Sequence, residues 1–268
     1  MQPFLKWPGG KRWFMKKYSN IFPLNYEKYI EPFLGSGSTF FHLLPPQSIL
    51  SDSNSELITL YEVMRDAPLA LGEFMLEHER KHCKDYYYLI RSKRYENKMQ
   101  HAARFLYLNR TCYNGMYRVN KKGEFNVPIG TKANCARDVD VFEQYSEALK
   151  NSSILSCDFE DSIAKARRGD LLFVDPPYAV SQSQNAFVKY NNQVYAWNDQ
   201  IRLLTALCAA KARDCKIVAT NANNEQLKAL YLDNGFYVQT LTRSCVMAAN
   251  PEKRSTVGEL LITSYPIN

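Results

Sequence analysis

Short apolar runs alternate with amphipathic stretches along most of the chain. The runs predict seven β-strands, and the longer stretches between several of them predict helices. The predicted strands are Lys28–Phe33, Ser48–Leu50, Ser153–Ser156, Leu171–Val174, Lys216–Thr220, Phe236–Leu241 and Gly258–Ser264; the predicted helices are Glu56–Arg65, Ser162–Arg167, Asp199–Ala212 and Glu225–Asp233. Because strands that alternate with helices form parallel sheets covered on both faces, the pattern predicts a doubly wound, mostly parallel α/β sheet. The last two strands have no helix between them and are expected to form an antiparallel hairpin at one edge.

The residues from Arg80 to Arg137 break this alternation. Their pattern predicts helices followed by a β-hairpin of Tyr117–Asn120 and Glu124–Val127, joined by Lys121-Lys122-Gly123. We interpret this region as an insertion between two parts of one α/β core. The predicted boundaries are residues 67–140 for the insertion, and 1–66 with 141–268 for the core.

The composition is that of a globular protein with a large core. With 268 residues, 46% of them hydrophobic, and a mean hydropathy of −0.40, the chain is not of the disordered, collagen-like or low-complexity class. No apolar run approaches the roughly 20 residues of a membrane helix, and Met1–Pro8 contains no signal-peptide core. We therefore expect a cytoplasmic protein that makes no membrane contact. The seven cysteines and four histidines form no zinc-type cluster, so we expect reduced thiols and no metal.

The net charge of +7 is concentrated in one segment. Arg80–Arg137 contains 14 Lys and Arg against three acidic residues, and the rest of the chain is slightly acidic. The same segment carries nine aromatic residues: Tyr86, Tyr87, Tyr88, Tyr95, Phe105, Tyr107, Tyr113, Tyr117 and Phe125. Cations that pair with phosphates, together with rings that stack on bases, are typical of nucleic-acid surfaces. For Arg80–Lys98 alone, a solvated basic helix whose rings face inward is an alternative.

Glycines and an acidic residue follow the first two predicted strands. Ligands of open parallel sheets bind at the carboxyl ends of strands, so these positions are candidate binding sites. Glu31–Ser38 contains the turn Gly35-Ser36-Gly37 before a predicted helix, where the backbone can approach a ligand closely. Asp52 is placed to accept hydrogen bonds from two ribose hydroxyls. The alternative is that it caps the following helix, which Ser53 or Asn54 could also do.

A third strand end carries the most specific signal. The apolar run Leu171–Val174 stops at Asp175-Pro176-Pro177-Tyr178. Prolines lack the backbone N–H, so the Asp175 carboxylate and the Pro176 carbonyl lie side by side as acceptors suited to an amino group. Tyr178 offers a face on which a planar ring can stack. A strand cap with a rigid turn is the structural alternative.

Four motifs occur in the order found in one enzyme family. They are Phe4–Lys11, the loop Glu31–Ser38, the paired segments Asn109–Asn120 and Gly123–Gly130, and Asp175–Tyr178. In this order they resemble the N-terminal signature, cofactor loop, target-recognition hairpin and DPPY signature of the Dam-type (D12 class) DNA adenine-N6 methyltransferases. The resemblance implies a seven-stranded S-adenosylmethionine-dependent methyltransferase sheet that carries a target-recognition insertion.

The resemblance also implies roles for individual residues. S-adenosyl-L-methionine would be the methyl donor, no metal would take part, and a flipped-out adenine in double-stranded DNA would be the substrate. Catalysis would fall to Asp175, Pro176 and Tyr178. The implied cofactor-binding residues are Trp7, Lys11, Phe33, Gly35, Gly37, Asp52, Asp158, Phe159 and Asp175. Taken alone, Asp158 is equally explained as a helix cap.

The hairpin motif implies residues that contact DNA. Arg118 and Lys6 match positions that contact base edges, and Tyr113 and Asn114 match positions that intrude into the duplex. Arg110, Asn120 and Asn126 match positions that serve either DNA-backbone contacts or hairpin rigidity. The implied site is GATC, for a solitary enzyme or one paired with a restriction endonuclease. The alternatives are an RNA or protein amino methyltransferase that shares the DPPY motif, and a sequence-specific DNA-binding protein without catalysis.

Overall fold

A seven-stranded sheet, with strand order β3-β2-β1-β4-β5-β7-β6, organises the protein. We describe it from a computed structural model, in which residues 1–178, 195–244 and 256–267 are described. The strands are β1 (Tyr29–Glu31), β2 (Ser48–Asp52), β3 (Ser152–Ser156), β4 (Leu171–Val174), β5 (Lys216–Ala222), β6 (Tyr237–Ser244) and β7 (Thr256–Thr263). β4 pairs in parallel with β1 and β5, whereas β7 runs antiparallel to β5 and β6. The predicted mostly parallel α/β sheet with an antiparallel edge hairpin is confirmed.

α-Helices make up about half of the described chain outside the strands. They are α1 (Arg12–Tyr18), α2 (Phe40–Leu43), α3 (Ser55–Asp66), α4 (Pro68–Lys81), α5 (Lys84–Ser92), α6 (Lys98–Thr111), α7 (Phe142–Leu149), α8 (Phe159–Ile163), α9 (Trp197–Ala212) and α10 (Glu225–Asp233). One predicted helix, Ser162–Arg167, was misplaced: α8 begins earlier. The Asp158 side chain accepts the Glu160 backbone N–H and starts the helix there.

The chain packs as two compact units. The first comprises residues 1–19, 34–46 and 50–156, and the second comprises residues 20–33, 47–49 and 157–268. The predicted insertion, residues 67–140, lies within the first unit, and its boundaries stay a prediction. In the described residues, no helix has both the length and the apolar character needed to cross a membrane. A cytoplasmic location stays a prediction.

The predicted hairpin is present as a short, irregular pair within the first unit. Val119 and Phe125 form an antiparallel bridge, the Asn120 N–H donates to the Glu124 carbonyl, and the Asn126 N–H donates to the Arg118 carbonyl. Of the nine aromatic residues predicted to favour base stacking, Tyr113 is exposed, with 53% of its surface accessible, and the other eight are buried or half-buried. The aromatic rings of Arg80–Lys98 therefore face inward, as the alternative of a solvated basic helix predicted.

Candidate functional site

The Asp175–Tyr178 motif lies directly after β4, in the second unit. β4 is buried along its whole length, so Asp175 is the first polar side chain after it and lies at the carboxyl end of this strand. Asp175 is half-buried, and its Oδ1 accepts a hydrogen bond from Thr220 Oγ1 at 2.7 Å. The Tyr178 hydroxyl donates to Glu259 Oε2 at 2.8 Å, and burial raises the pKa of Tyr178 well above its ordinary value. Both polar groups of the motif are thus oriented by neighbouring side chains.

Phe33, Phe159 and Tyr195 form an aromatic cluster in the same unit. The Phe33 and Phe159 rings stack with centroids 5.3 Å apart, and Tyr195 meets the Phe33 ring edge-on at 6.0 Å. Arg202 lies over the Phe159 ring, 4.9 Å from its centroid, and donates to Asp158 Oδ1 at 2.9 Å. Asp158 therefore caps α8, as the structural alternative predicted, and also lies beside an aromatic surface.

The glycine loop and Asp52 are joined in the first unit. Gly35 N–H donates to Asp52 Oδ2, and Asn54 N–H donates to Oδ1, each at 3.0 Å. Burial raises the pKa of Asp52, while these backbone donors oppose the shift. Asn54, and not Asp52, caps α3, because its side chain accepts the Glu56 and Leu57 N–H groups. The capping alternative for Asp52 is therefore wrong.

Trp7 packs against the glycine loop and against the base of the hairpin. A Cβ atom on Gly35, whose φ is +48°, would come within 2.7 Å of Trp7 Cδ1. The Trp7 ring also stacks on Tyr117 with centroids 5.0 Å apart, and Tyr117 stacks on Phe105 at 5.3 Å. Gly37 also has a positive φ, at +63°, and Lys11 is 4% exposed.

Sequence reasoning missed the role of Tyr117. Its hydroxyl donates to Glu56 Oε2 at 3.2 Å, on the helix that follows Asp52. Burial, followed by the nearby Glu56 carboxylate, raises the pKa of Tyr117 to about 12, so the hydroxyl remains a donor at neutral pH. Its position as the first hairpin residue, directly before Arg118, was the available signal.

Arg118 is oriented by Asn126 across the hairpin. Arg118 Nε donates to Asn126 Oδ1 at 2.8 Å, and its Nη2 donates to the Asn126 carbonyl at 3.3 Å. Asn120 tightens the turn, because its Oδ1 accepts the Lys122 and Glu124 N–H groups at 2.9 and 3.0 Å. Of the two roles left open for Asn120 and Asn126, these contacts support rigidity of the hairpin.

Lys6 lies beside the turn that precedes the hairpin. Its backbone N–H donates to Asn109 Oδ1 at 3.0 Å, and its side-chain methylenes contact Gly115. Partial burial and the nearby charges of Lys132 and Arg137 lower the pKa of Lys6. In the same turn Tyr113 and Asn114 are exposed, Asn114 with a positive φ of +55°. Lys6, Tyr113 and Asn114 are therefore brought together, although the first is distant in sequence.

Arg110 is placed differently from a DNA-contacting residue. It is 2% exposed, and its guanidinium donates to the backbone carbonyls of Phe4, Cys135 and Arg137. Burial lowers the pKa of Arg110 to about 10. The structure does not support the predicted DNA contact for Arg110, and it supports the other role left open for it, rigidity.

The cysteines and acidic residues add no metal centre to the part of the chain described here. Within residues 1–178, 195–244 and 256–267, no group of three or more His, Cys, Asp or Glu side chains is placed to bind a metal ion. The six cysteines in these ranges are free thiols, and Cys245 lies outside the described residues. The absence of a metal stays a prediction.

Comparisons with known proteins agree on one class of protein. The sequence profile of the D12 class of N6 adenine-specific DNA methyltransferases matches residues 7–245. The chain is 34% identical to the Type II methyltransferase M1.LlaDCHI of Lactococcus lactis subsp. cremoris, over 99% of this chain and 96% of the relative. It is also 34% identical to the Type II methyltransferase M.MjaIII of Methanocaldococcus jannaschii, over 99% of both chains. The DNA adenine methylase of Serratia marcescens is 32% identical, over 96% of each chain.

Proposed function

The chain belongs to the D12 class of N6 adenine-specific DNA methyltransferases, and from this we propose that it methylates a flipped-out adenine within GATC. The enzyme is an S-adenosylmethionine-dependent DNA adenine methyltransferase. The observation that carries the proposed chemistry is the oriented Asp175–Tyr178 motif at the end of β4. The GATC site rests on the resemblance of the hairpin to that of Dam-type enzymes. Pairing with a restriction endonuclease stays a prediction.

The residues proposed to bind the cofactor offer suitable chemistry. The Asp52 carboxylate accepts backbone N–H groups of Gly35, Asn54 and Ser53. A carboxylate has about four acceptor positions, and we propose that ribose hydroxyls also donate to it. The contacts of Asp158 with Glu160 and Arg202 both fall on Oδ1, and we propose that Oδ2 accepts from the adenine amino group. The rings of Phe33 and Phe159 supply an apolar surface for the adenine. We propose Trp7, Lys11, Phe33, Gly35, Gly37, Asp52, Asp158, Phe159 and Asp175 as the residues that bind it.

The motif residues act on the target amino group. The bound cofactor supplies an electrophilic methyl group. The adenine amine is a weak nucleophile because its lone pair is delocalised into the ring. Hydrogen bonds from its two N–H groups to Asp175 and to the Pro176 carbonyl favour a tetrahedral nitrogen and localise that pair. Tyr178 stacks on the ring and fixes its orientation, and the nitrogen releases one proton after transfer. The base must leave the duplex to reach these groups.

Replacing Gly35 with alanine should weaken cofactor binding. The added Cβ would meet the rigid Trp7 ring at 2.7 Å, in a backbone conformation with φ of +48° that side chains rarely adopt. The loop must then move away from Trp7, and we expect affinity for S-adenosylmethionine to fall at least about tenfold, from roughly 1–2 kcal/mol of strain. Titration calorimetry measures this change. Gly123→Ala is the matched control, because Gly123 also has a positive φ, +75°, but its Cβ would meet nothing within 4 Å; equal losses in both variants would contradict the close packing argument.

Mapping methylated adenines tests substrate and site together. We expect a host that lacks adenine methylation and expresses this chain to acquire N6-methyladenine at GATC. A different single consensus would overturn the GATC assignment alone, and unmethylated adenines throughout the genome would overturn the activity. For base flipping, 2-aminopurine at the target position should fluoresce more strongly when the enzyme binds; unchanged fluorescence would contradict extrusion.

Replacing Arg118 with alanine should relax sequence discrimination. A good arginine contact to a base edge contributes about 1–3 kcal/mol of discrimination, so we expect the preference for the true site over a site with one altered base pair to fall about 5- to 150-fold. Steady-state methylation of paired oligonucleotides measures this ratio. Lys121 is an exposed lysine in the same hairpin, and Lys121→Ala is the control. We expect it to lower the methylation rate of all sites by the same factor. Equal losses on both sites in Arg118→Ala would remove Arg118 from sequence recognition.

A further inference from the structure

Thr220 lies beside the proposed catalytic carboxylate because of the sheet register. β4 and β5 pair in parallel, with Val174 opposite Ala219, so the next residues along the two strands, Asp175 and Thr220, are neighbours. Thr220 is fully buried, and its Oγ1 donates to Asp175 Oδ1 at 2.7 Å. This is an O–H···O hydrogen bond of ordinary length to one particular oxygen of the carboxyl group.

Glu259 contacts Tyr178 as Thr220 contacts Asp175. It lies on β7, which pairs antiparallel with β5 so that Glu259 is opposite Ala222. The Glu259 side chain is 3% exposed and accepts the Tyr178 hydroxyl at 2.8 Å. Burial of a carboxyl group is costly unless it is hydrogen-bonded, so the placement of an acid here needs a reason. The neighbouring positions Leu260, Leu261 and Ile262 are apolar and buried.

Thr220 is also hydrogen-bonded to Tyr178, so the four side chains form one network. We propose that Thr220 and Glu259 are positioning residues for methyl transfer, Thr220 chiefly for Asp175 and Glu259 for Tyr178. The inference rests on the proposed function of those two residues. The terminal torsion of an aspartate is soft, so its two oxygens are not fixed by the backbone alone. With Oδ1 bound to Thr220, Oδ2 has one defined direction in which to accept from the target amine. The bond to Glu259 likewise fixes the tilt of the Tyr178 ring on which the base stacks.

A purely structural role would give a different pattern of effects. Valine has nearly the shape of threonine, so a packing role for Thr220 would be largely kept in Thr220→Val, while the hydroxyl donor would be lost. Serine keeps the donor and loses a methyl group. A positioning role therefore predicts a loss of rate in the valine variant and its rescue in the serine variant. A packing role predicts the opposite: the serine variant would lose more rate than the valine variant.

Single-turnover methylation with saturating cofactor and duplex tests the Thr220 contact. We expect Thr220→Val to slow transfer about 10- to 100-fold, as misplacement of a reacting group does. The Kd values for S-adenosylmethionine and for the duplex should stay within about threefold of wild type, and Thr220→Ser should stay within about threefold in rate. If thermal melting shows that Thr220→Val is unfolded, Thr220→Ala carries the test, because it differs from Thr220→Ser only in lacking the hydroxyl donor.

The outcomes separate this inference from the proposed function. A wild-type transfer rate in a folded Thr220→Val or Thr220→Ala overturns the role of Thr220, as does a serine variant that loses as much rate as the variant without the hydroxyl. Loss confined to the Kd values overturns it as well. A wild-type enzyme that methylates no adenine duplex overturns the proposed function instead.

Glu259 has its own matched pair of variants. Glu259→Gln keeps an oxygen that accepts the Tyr178 hydroxyl, whereas Glu259→Leu removes the acceptor at similar volume. We expect the leucine variant to lose about tenfold in transfer rate and the glutamine variant to keep most of it. If Glu259 acts through Tyr178, adding Glu259→Leu to Tyr178→Phe should cause no further loss. Additive losses, or equal rates in the glutamine and leucine variants, would overturn the role of Glu259.

Discussion

Asp175→Ala should abolish methyl transfer and leave duplex binding largely intact. The substitution removes the side-chain acceptor for the target amine, and the Pro176 carbonyl alone cannot localise the nitrogen lone pair. Loss of one preorganised hydrogen-bond partner typically costs a factor of about 10² to 10³ in rate, and we expect at least the upper value here because Asp175 contacts the reacting nitrogen itself. Transfer of labelled methyl groups to duplex DNA measures the rate, and gel-shift titration measures binding.

A matched acid in the same unit provides the control. Asp161 on α8 is exposed, and Asp161→Ala should methylate at the wild-type rate. Thermal melting of both variants, measured in parallel, separates lost chemistry from lost folding. Full activity in Asp175→Ala would overturn the assigned mechanism.

Arg110→Met should destabilise the protein severely. The methionine fills much of the volume but leaves the carbonyls of Phe4, Cys135 and Arg137 buried without the guanidinium that donates to them. Each such carbonyl that stays dry costs about 1–3 kcal/mol, so we expect the free energy of unfolding to fall by at least about 3 kcal/mol. Urea unfolding followed by circular dichroism measures the change.

An exposed arginine of the same segment serves as the comparison for Arg110. The Arg94 side chain is 74% exposed, and its ion pair with Glu124 is 3.5 Å long. We expect Arg94→Met to change stability by less than about 0.5 kcal/mol, since surface pairs contribute little. Similar stability of the Arg110→Met and Arg94→Met variants would show that the buried carbonyl contacts contribute nothing to the free energy of unfolding.

Strand positions were largely predictable from the sequence, because buried parallel strands appear as continuous apolar runs. β4 begins and ends where the pattern predicted, since Asp175 and the prolines stop it sharply. β1 is shorter than predicted and β5 longer, because pairing with neighbouring strands, and not local pattern, sets those ends. α8 was displaced because the Asp158 cap outweighed the helical pattern that follows it.

Long-range partners were not predictable. The segment 102–111 of α6 is buried on all sides, although it contains Arg104, Asn109 and Arg110, and its local sequence does not show which groups these polar side chains contact. The carbonyls that accept from Arg110 come from two distant parts of the chain, Phe4 and the segment 135–137. Similarly, the motif showed Trp7 and Tyr117 separately, and only the fold shows that their rings stack.

The stack of Trp7, Tyr117 and Phe105 has a consequence for protein engineering. Tyr117 begins the hairpin, yet its ring lies on Trp7 and Phe105, and its hydroxyl contacts Glu56. A hairpin grafted from an enzyme with another target site, and carrying a small residue at this position, would uncover the indole that packs on Gly35. The hairpin is therefore not an interchangeable cassette, and a transplant intended to change the methylated site must retain Tyr117 or redesign its two aromatic neighbours with it.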